Sequence, residues 1–256
     1  MKSIKIDLSK DLNNIEIHTF ADLHIGDKHC DLTNIKKRIE YVKNKENAYV
    51  ILNGDLLNNA IKTSVSDIYS EKLTPMEELN RCVELFEPIK DKILCITTGN
   101  HERRTYNGSG IDLMEILSKE LRIEERFSNA SAVLFIRLGW NKSRKRKQWY
   151  SIFVTHGSGG GRKVGAKAVR LADMENIVDC DIYIHSHTHL PMIFKQSFYR
   201  SDFINSNVAL VDKLFVNTSA ELNYGGYGEV YEFKPSSKEC PVIYLSGTAK
   251  EFMAKL

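Results

Sequence analysis

Five segments of this sequence carry histidine, aspartate or asparagine directly after a short apolar run, and these side chains are common ligands of divalent metal ions. The segments are Asp22-Leu23-His24, Gly54-Asp55, Gly99-Asn100-His101-Glu102, Thr155-His156-Gly157 and His185-Ser186-His187-Thr188-His189. They hold six of the eight histidines. Imidazole and carboxylate groups together suit borderline ions such as Mn, Fe, Zn, Co or Ni.

The candidate ligands are too many for one tetrahedral ion, whereas two ions that share a carboxylate would use them. Such a pair of ions activates water and stabilises both the attacking and the leaving oxygen of a phosphoryl transfer. Residues two apart in an extended segment project to the same side. Asp22 with His24, and His187 with His189, are therefore each expected to bring two ligands to one place.

The apolar runs before these segments predict strands, and the amphipathic stretches between them predict helices. The strands are expected at residues 15–20, 48–52, 92–97, 149–154 and 181–184, and the helices at 32–45, 74–86, 111–121 and 164–178. The carboxyl ends of strands in an open α/β sheet form its binding crevice. The five segments are therefore expected to meet at one edge.

The remaining β-rich runs complete the expected architecture. Residues 4–8 are expected to pair with 15–20, residues 132–138 to form a hairpin with 149–154, and residues 208–216, 228–233 and 241–245 to form strands. We expect one α/β domain over residues 1–256, whose C-terminal part adds a second sheet.

Composition excludes several classes of protein. With 42% hydrophobic and 27% charged residues, the 256-residue chain is neither disordered nor collagen-like. It contains no apolar run of about 18 residues, so no membrane span is expected, and its N-terminus lacks an apolar signal core. The five cysteines are scattered without a CxxC pair, which disfavours a disulfide framework and a thiolate zinc site. We expect buried thiols in a reducing compartment, the cytoplasm.

Positive charge is concentrated in one part of the chain. Residues 127–172 contain ten Lys and Arg and no Asp or Glu, so the rest of the chain holds 36 − 10 = 26 basic and 33 acidic residues. This asymmetry favours an anionic partner.

The ordered blocks D-x-H, G-D, G-N-H-[DE], a lone His and His-x-His resemble those of the calcineurin-like metallophosphoesterases. The overall sequence, including TGNHERR and VNTSAELNYGGYGE, resembles their phage- or prophage-encoded branch, which would place the protein in a host cytoplasm. The resemblance covers roughly residues 15–189 and implies a four-layer α/β/β/α sandwich with two mixed central sheets. It also implies two divalent ions, with Mn expected first and Fe, Zn, Ni or Co as alternatives.

The resemblance further implies a role for each matching residue. One metal ion would be held by Asp22, His24, Asp55 and His189, and the other by Asp55, Asn100, His156 and His187. Asp55 would bridge the two ions, and a hydroxide shared by them would attack phosphorus in line. His101 would stabilise the oxyanion or protonate the leaving oxygen.

This sequence departs from the family pattern at two places. Ser186 stands where the family has a glycine before the final His-x-His. Asp55 is followed by Leu-Leu-Asn-Asn rather than the V-D-R-G of phosphoprotein phosphatases, which disfavours that branch and removes a usual aspartate partner of His101. Asn58 or Asn59 is expected to orient His101 instead, while His185 is expected to support the site rather than bind metal.

Three further features bear on the substrate. A Gly-rich loop at 157–161 leads into Arg162 and Lys163, which are expected to contact phosphate together with Arg103 and Arg104. A basic turn at 142–147 lies between Trp140 and Trp149; it is either a surface for nucleic acid or a solvated hairpin tip whose tryptophans face the core. Residues 58–73 are expected to cover the site.

These observations lead to three ranked functions. The first is a phosphodiesterase acting on DNA or RNA, a nuclease similar to the repair-exonuclease members of the superfamily. The second is a phosphoesterase for small nucleotides or cyclic nucleotides. The third, a non-catalytic protein-binding scaffold, is disfavoured because every ligand position is filled.

Overall fold

The polypeptide alternates strands and helices along most of its length. The computed structural model describes residues 1–62, 64, 68–159 and 161–256. Its strands are β1 Lys2–Asp7, β2 Asn14–Phe20, β3 Ala48–Asn53, β4 Ile93–Thr97, β5 Phe127–Ser128, β6 Ser131–Asn141, β7 Arg146–Thr155, β8 Ile182–His185, β9 Met192–Asp202, β10 Asn207–Asn217, β11 Val242–Ser246 and β12 Phe252–Lys255. Its α-helices are α1 Leu32–Asn44, α2 Pro75–Phe86, α3 Asn100–Ser109, α4 Leu113–Glu120, α5 Val164–Ala172 and α6 Tyr227–Val230, and short 3₁₀ helices span Glu87–Lys92, Glu124–Arg126 and Asp173–Asn176.

The described strands form two six-stranded mixed sheets. Sheet I has the order β1-β6-β7-β8-β10-β9, and sheet II has the order β12-β11-β2-β3-β4-β5. Neighbours β2, β3 and β4 run parallel, as do β7, β8 and β10. Parallel neighbours end at the same edge, which is the arrangement that the ligand segments require.

Three apolar cores hold four layers together. Ile17 and Ile51 of sheet II share the core between the sheets with Ile136 and Ile152 of sheet I. Helices α1, α2 and α4 pack on the outer face of sheet II, and α5 with the following 3₁₀ turn packs on sheet I. The expected α/β/β/α sandwich with two mixed central sheets is confirmed.

Local sequence signals explain most of the elements. Thr74 caps α2 in a reciprocal capping box, because its side chain accepts from the Glu77 amide and the Glu77 carboxylate accepts from the Thr74 amide. Helix α1 buries Ile35, Ile39 and Val42 at the spacing of one helical face.

The predicted pairing of residues 4–8 with 15–20 is wrong. Strand β1 pairs in parallel with β6, so it belongs to sheet I rather than to the sheet of β2. The reason is packing: Ile4 and Ile6 are the buried positions of an otherwise exposed edge strand, and they join the core between the sheets.

The C-terminal part also differs from expectation. Its strands are divided between the sheets, with β9 and β10 in sheet I and β11 and β12 in sheet II. Residues 228–233 form no strand, because the short helix α6 occupies Tyr227–Val230 and the exposed residues after it lack a neighbouring strand. The helix expected over 164–178 ends at Ala172 and continues as a 3₁₀ turn.

Two hairpins extend from sheet I. The basic turn between β6 and β7 lies at the opposite end of β7 from His156, and Trp140 and Trp149 are 44% and 47% exposed, so neither faces a core. In the other hairpin, β10 pairs with β8 only over residues 214–217, which leaves the outer parts of β9 and β10 paired only with each other among the described strands.

The cysteines and the helices bear on the disulfide framework and the membrane span that the sequence disfavours. All five cysteines are unpaired, and Cys82, Cys95 and Cys180 are buried. Among the described residues, every helix is too short or too polar to cross a lipid bilayer.

A buried acid on α2 generates a prediction about stability. Glu78 is fully buried, and one of its oxygens accepts from the Asn59 amide at 2.8 Å. Burial, with the nearby carboxylates of Glu71 and Glu102, raises the pKa of Glu78 to about 8. The folded protein therefore holds this proton more tightly than the unfolded chain does, and stability falls as pH rises from the ordinary glutamate range toward pH 8.

Glu78→Gln removes the titration and retains an oxygen acceptor. We expect the variant to lose less stability over this pH range, by up to about 1.4 kcal/mol per pH unit. Urea unfolding between pH 4.5 and pH 8.5 measures the difference, with Glu84→Gln on the exposed side of the same helix as the control. Parallel pH profiles for wild type and Glu78→Gln would contradict this account.

Candidate metal centre

The loops that follow β2 and β3 are joined by backbone hydrogen bonds. The amides of Asp22 and Leu23 donate to the carbonyls of Gly54 and Asp55, at 3.1 and 2.8 Å. The carbonyl of Asp55 also accepts from the His24 amide at 3.1 Å. The D-x-H and G-D segments are thus held together before any ion contributes.

Five of the proposed ligands have left-handed backbone conformations. They are Asp22, His24, Asp55, His187 and His189, with φ between 48° and 65°. This region is uncommon for non-glycine residues and costs roughly 1–3 kcal/mol per residue. Because this conformation recurs at these five positions, the backbone turns sharply after the strands. The turns direct the ligand side chains toward one another.

Glycines allow the third loop to approach the second. Gly54 has φ of +73°, and a Cβ there would lie 2.5 Å from the Gly99 amide nitrogen. A Cβ on Gly99 would lie 2.1 Å from Oδ1 of Asp55. The glycines of the G-D and G-N-H segments therefore permit a backbone contact that larger residues would prevent.

The first group of candidate ligands contains Asp22, His24 and His189, whose donor atoms lie within 4.8 Å of one another. Nε2 of His189 is 3.2 Å from Oδ1 of Asp22 and 3.4 Å from Nε2 of His24. Oδ1 of Asp22 is buried without a hydrogen-bond partner among the described residues, while Oδ2 accepts from the His187 amide at 3.0 Å.

The second group contains Asp55, His156 and His187, within the same 4.8 Å limit. Nε2 of His156 lies 3.2 Å from Oδ2 of Asp55 and 3.2 Å from Oδ1 of Asn100. It is also 3.9 Å from Oδ1 of Asp22, which places the two groups side by side. The structure thus brings together all seven residues assigned to metal binding.

The charges of these groups fit a cation. Burial opposes ionisation of Asp55, yet its pKa is well below the usual value because the imidazoles of His156 and His101 face it. Burial opposes protonation of His156, yet the carboxylates of Asp55 and then Asp22 raise its pKa to about 10. A proton on His156 therefore occupies the position where a divalent ion would provide the positive charge.

The surroundings of His24 and His187 favour their neutral forms. Burial, followed by the neighbouring His101, places the pKa of His24 well below its usual value, and burial followed by His156 lowers that of His187. Nδ1 of His156 donates to the Asn53 carbonyl at 2.8 Å, so Nε2 is the nitrogen available to bind a metal ion. If a divalent ion replaced its proton, His156 would be a neutral imidazole with its second nitrogen held by a carbonyl, the usual form of a histidine metal ligand.

His101 lies beside these groups. Its backbone amide donates to Oδ1 of Asp55 at 2.8 Å, and its Nε2 is 3.9 Å from Oδ2 of the same carboxylate. Nδ1 hydrogen-bonds the Asn58 carbonyl at 2.7 Å, and the Asn59 amide group donates to the His101 carbonyl at 2.6 Å. Both asparagines therefore contact His101, Asn58 through its backbone and Asn59 through its side chain.

The four basic residues assigned to substrate binding have different surroundings. Arg104 places Nη2 3.0 Å from Nε2 of His101 and donates from Nη1 to the Asn58 carbonyl. Arg103 instead donates to the carbonyl of Asn129, in the turn before β6. Arg162 lies over the ring of Phe233, 5.1 Å from its centroid, and Lys163 is exposed at the start of α5.

Glu102 has a structural role that the sequence analysis did not assign. Its buried carboxylate accepts from the amides of Asp55, Leu57 and Gly99 at 3.0–3.1 Å, so it links the second and third loops. Burial and the nearby Asp55 raise its pKa to about 7. The signal was present in the sequence, since an acid three residues after Gly99 is placed to accept from the Gly99 amide just before α3.

Asn53 and Ser186 join the two sheets behind the ligands. Nδ2 of Asn53 donates to the Ser186 hydroxyl at 2.7 Å and to the Thr155 carbonyl at 2.9 Å. The Ser186 hydroxyl also accepts from Thr218 at 2.8 Å. The serine in place of the family glycine therefore adds a buried hydrogen-bond junction. His185 hydrogen-bonds Asn217 at 2.8 Å, in line with its expected supporting role.

The segment expected to cover the site is described only in part, because residues 63 and 65–67 lie outside the described residues. At its start, Asn58 and Asn59 are buried against His101. At its end, the Lys72 amide donates to the Gly26 carbonyl at 3.0 Å. Both described ends are therefore anchored to the loops of the centre.

A family model described as calcineurin-like phosphoesterase matches residues 22–191, about two thirds of the chain, and its limits enclose every proposed ligand. No curated protein matches the chain.

Solved structures with similar folds include vacuolar protein sorting 29 from Cryptosporidium parvum, at 15% identity, covering 94% of this chain and 96% of that chain, with a TM-score of 0.48. A metallophosphoesterase from Sphaerobacter thermophilus is 14% identical, with 91% and 84% covered and a TM-score of 0.41. The nuclease MPE from Pseudomonas putida is 11% identical, with 93% and 87% covered and a TM-score of 0.36.

Metal binding should stabilise this protein by mass action. At a free Mn concentration of 100 times Kd, one site adds about 2.7 kcal/mol to the free energy of unfolding. Asp22→Asn removes the negative charge of this proposed ligand, so we expect a smaller rise in Tm. Thermal unfolding with and without Mn measures this effect, with Asp7→Asn on edge strand β1 as the control. Equal Mn-dependent shifts in wild type and Asp22→Asn would contradict the assignment.

Proposed function

The chain belongs to the calcineurin-like phosphoesterase family, and from this we propose that it binds two divalent ions, Mn first among them, and hydrolyses phosphodiester bonds of nucleic acid. The observation that carries the proposal is the position of Asp55, whose carboxylate lies within 4.8 Å of the imidazoles of His156 and His187 and, in a further group, of those of His24 and His101. Seven ligand side chains exceed what one ion needs. A carboxylate between two groups of imidazoles is the arrangement expected for a shared ligand.

Bound divalent ions would polarise a phosphoryl oxygen and lower the pKa of water at the centre. Asp22, His24, Asp55 and His189 would hold one ion, and Asp55, Asn100, His156 and His187 the other. The backbone hydrogen bonds from His187 to Asp22 and from His101 to Asp55 fix both carboxylates. The chain therefore supplies a preformed set of donors, which reduces the reorganisation needed during the reaction.

His101 would protonate the leaving oxygen. Burial lowers its pKa, and in the structure its Nε2 accepts from Arg104 while Nδ1 faces the Asn58 carbonyl. A substrate phosphate oxygen would compete for the Arg104 guanidinium and release Nε2. That nitrogen could then take up a proton and donate it to the departing oxygen.

Positive charge near the centre supports an anionic substrate. Arg104 contacts His101 directly, and Arg162 and Lys163 follow His156 along the chain after the Gly-rich loop. We propose that these three residues contact phosphates of the substrate. Arg103 donates to the Asn129 carbonyl, so it would contact a substrate phosphate only after that hydrogen bond is broken.

A second candidate is a phosphoesterase for small nucleotides. It is favoured by the position of the basic turn, which lies at the far end of β7, roughly 30 Å from His156 at about 3.3 Å per residue. That turn cannot contact the phosphate being cleaved. Its basic residues therefore do not add to the few cations near the metal centre.

The role of His101 can be tested by substitution. His101→Ala should lower kcat for bis(p-nitrophenyl) phosphate by roughly 10²- to 10⁴-fold, the usual contribution of a general acid, with a smaller change in Mn affinity. His18→Ala is the matched control, because His18 contacts Glu16 and Tyr41 on sheet II and α1. A His101→Ala enzyme with wild-type kcat would exclude the proposed proton transfer.

The substrate class can be tested directly. With Mn, we expect cleavage of single- or double-stranded DNA or of RNA, and faster hydrolysis of bis- than of mono-nitrophenyl phosphate. Asp55→Asn should abolish both activities, because it removes the shared carboxylate. Intact nucleic acid together with rapid turnover of small nucleotides would favour the second candidate. Absence of bound transition metal and of all Mn-dependent activity would indicate a binding scaffold.

A further inference from the structure

The outer face of sheet I is covered by helix over only half its length. Val133 of β6 and Phe153 of β7 pair with each other and are buried under α5 and the following turn, at 4% and 2% exposure. Further along the same row of side chains, Phe135 and Trp149 are 37% and 47% exposed. Within the described residues, the helical layer ends between these positions.

Strand register places these aromatic rings on one surface with basic residues. Phe135 lies opposite Lys5 of β1, and Trp149 lies opposite Arg137. The Arg137 guanidinium stacks over the Trp149 ring, 4.9 Å from its centroid. Gln148, the neighbour of Trp149 in β7, donates to the Thr248 carbonyl, so alternation directs Trp149 to the outer face.

The turn at the end of this face adds further positive charge. It contains five basic residues, of which Lys142, Arg144, Lys145 and Arg146 are exposed. Asp7 is the acid that contacts this group, through Arg137 and Lys147. The surface thus combines two exposed rings with an excess of cations, within a stretch of 46 residues (127–172) that contains no acid.

We infer that this surface, made of Lys5, Phe135, Arg137, Trp149 and the turn at 142–147, is a docking platform for single-stranded nucleic acid, separate from the catalytic centre. The inference extends the proposed nuclease function. Charge complementarity argues for a phosphate backbone, and exposed rings on the outer face of the sheet argue for unpaired bases, which stack on aromatic faces. A duplex would present no free base faces to these rings.

The platform also has a defined distance from the centre. Seven residues of extended chain separate Trp149 from His156, about 23 Å at 3.3 Å per residue. This span corresponds to roughly seven base steps of 3.4 Å. A strand with its bases stacked at this spacing must be longer than that to occupy both places, so the platform should favour longer substrates.

Binding is best measured on Mn-loaded protein that cleaves slowly. All variants in this measurement therefore also carry His101→Ala, and the His101→Ala protein is the parent for comparison. The probe is fluorescein-labelled (dT)20 at fixed low salt, observed by anisotropy. Trp149→Ala should raise Kd at least about fivefold, the lower end for loss of one stacked base, while Trp149→Phe should remain near the parent. Tyr199→Ala, which removes an 80% exposed ring from β9 of the same sheet, is the matched control and should have no effect.

Intrinsic fluorescence gives an independent readout, because the two tryptophans, Trp140 and Trp149, both flank the basic turn. The oligonucleotide should quench this emission, and inorganic polyphosphate, which carries charge without bases, should not. In the otherwise wild-type enzyme, Trp149→Ala should lower kcat/KM for (dT)20 and leave hydrolysis of bis(p-nitrophenyl) phosphate and of (dT)4 unchanged.

The outcomes separate the platform from the nuclease function. If wild type cleaves DNA and Trp149→Ala binds (dT)20 normally, the platform is wrong and the nuclease proposal stands. If the protein binds (dT)20 through Trp149 without cleaving any nucleic acid, the platform stands and the nuclease proposal fails. Equal quenching by polyphosphate, or binding to phosphatidylserine vesicles in place of (dT)20, would overturn the platform in favour of a purely electrostatic or a membrane surface.

Discussion

Two carboxylates, Asp22 and Asp55, are buried side by side, and the rest of the centre compensates for their charge. An isolated buried carboxylate is strongly unfavourable. Here each receives a backbone amide, from His187 and from His101, and each faces an imidazole at 3.2 Å, from His189 and from His156. The left-handed turns at the strand ends and the close contact of Gly54 with Gly99 are needed to bring these donors together. The unfavourable backbone conformations are therefore found at the same loops that stabilise the buried charges of Asp22 and Asp55.

The part of the site that sequence could predict is the part that follows from strand ends. Each ligand segment comes directly after an apolar run, and parallel neighbours deliver their carboxyl ends to one edge, so Asp22 and Asp55 meet without any detailed knowledge of packing. His156 follows β7 of the other sheet, so its position beside them depends on how the two sheets pack. Glu102 and the junction of Asn53 with Ser186 were not predicted, because their hydrogen bonds cross from one loop or sheet to another. Strand β1 was placed in the wrong sheet for a related reason: nearness along the chain favours β2, whereas burial of Ile4 and Ile6 favours β6.

Strand β7 connects two ends of the molecule with different character. Its carboxyl end leads to His156 in an environment of buried carboxylates, and its amino end begins in the exposed basic turn. Both features stand in the sequence at opposite ends of the expected strand at 149–154, and the observed length of β7 sets the distance between them. Alternation along the same strand also explains why Gln148 is buried toward Thr248 while Trp149 is exposed.

The hairpin of β9 and β10 bears on how the protein behaves at high concentration. Beyond the residues paired with β8, it exposes Tyr199, Val208 and Leu210 along its length and Phe203 and Ile204 at its tip. Strand β9 also ends the sheet among the described strands, so its outer edge offers unused backbone donors and acceptors. Such edges recruit further strands unless charges interrupt them, as Lys195 and Arg200 do here. Solubility of the purified protein should therefore fall when excess salt screens the charges of those two side chains.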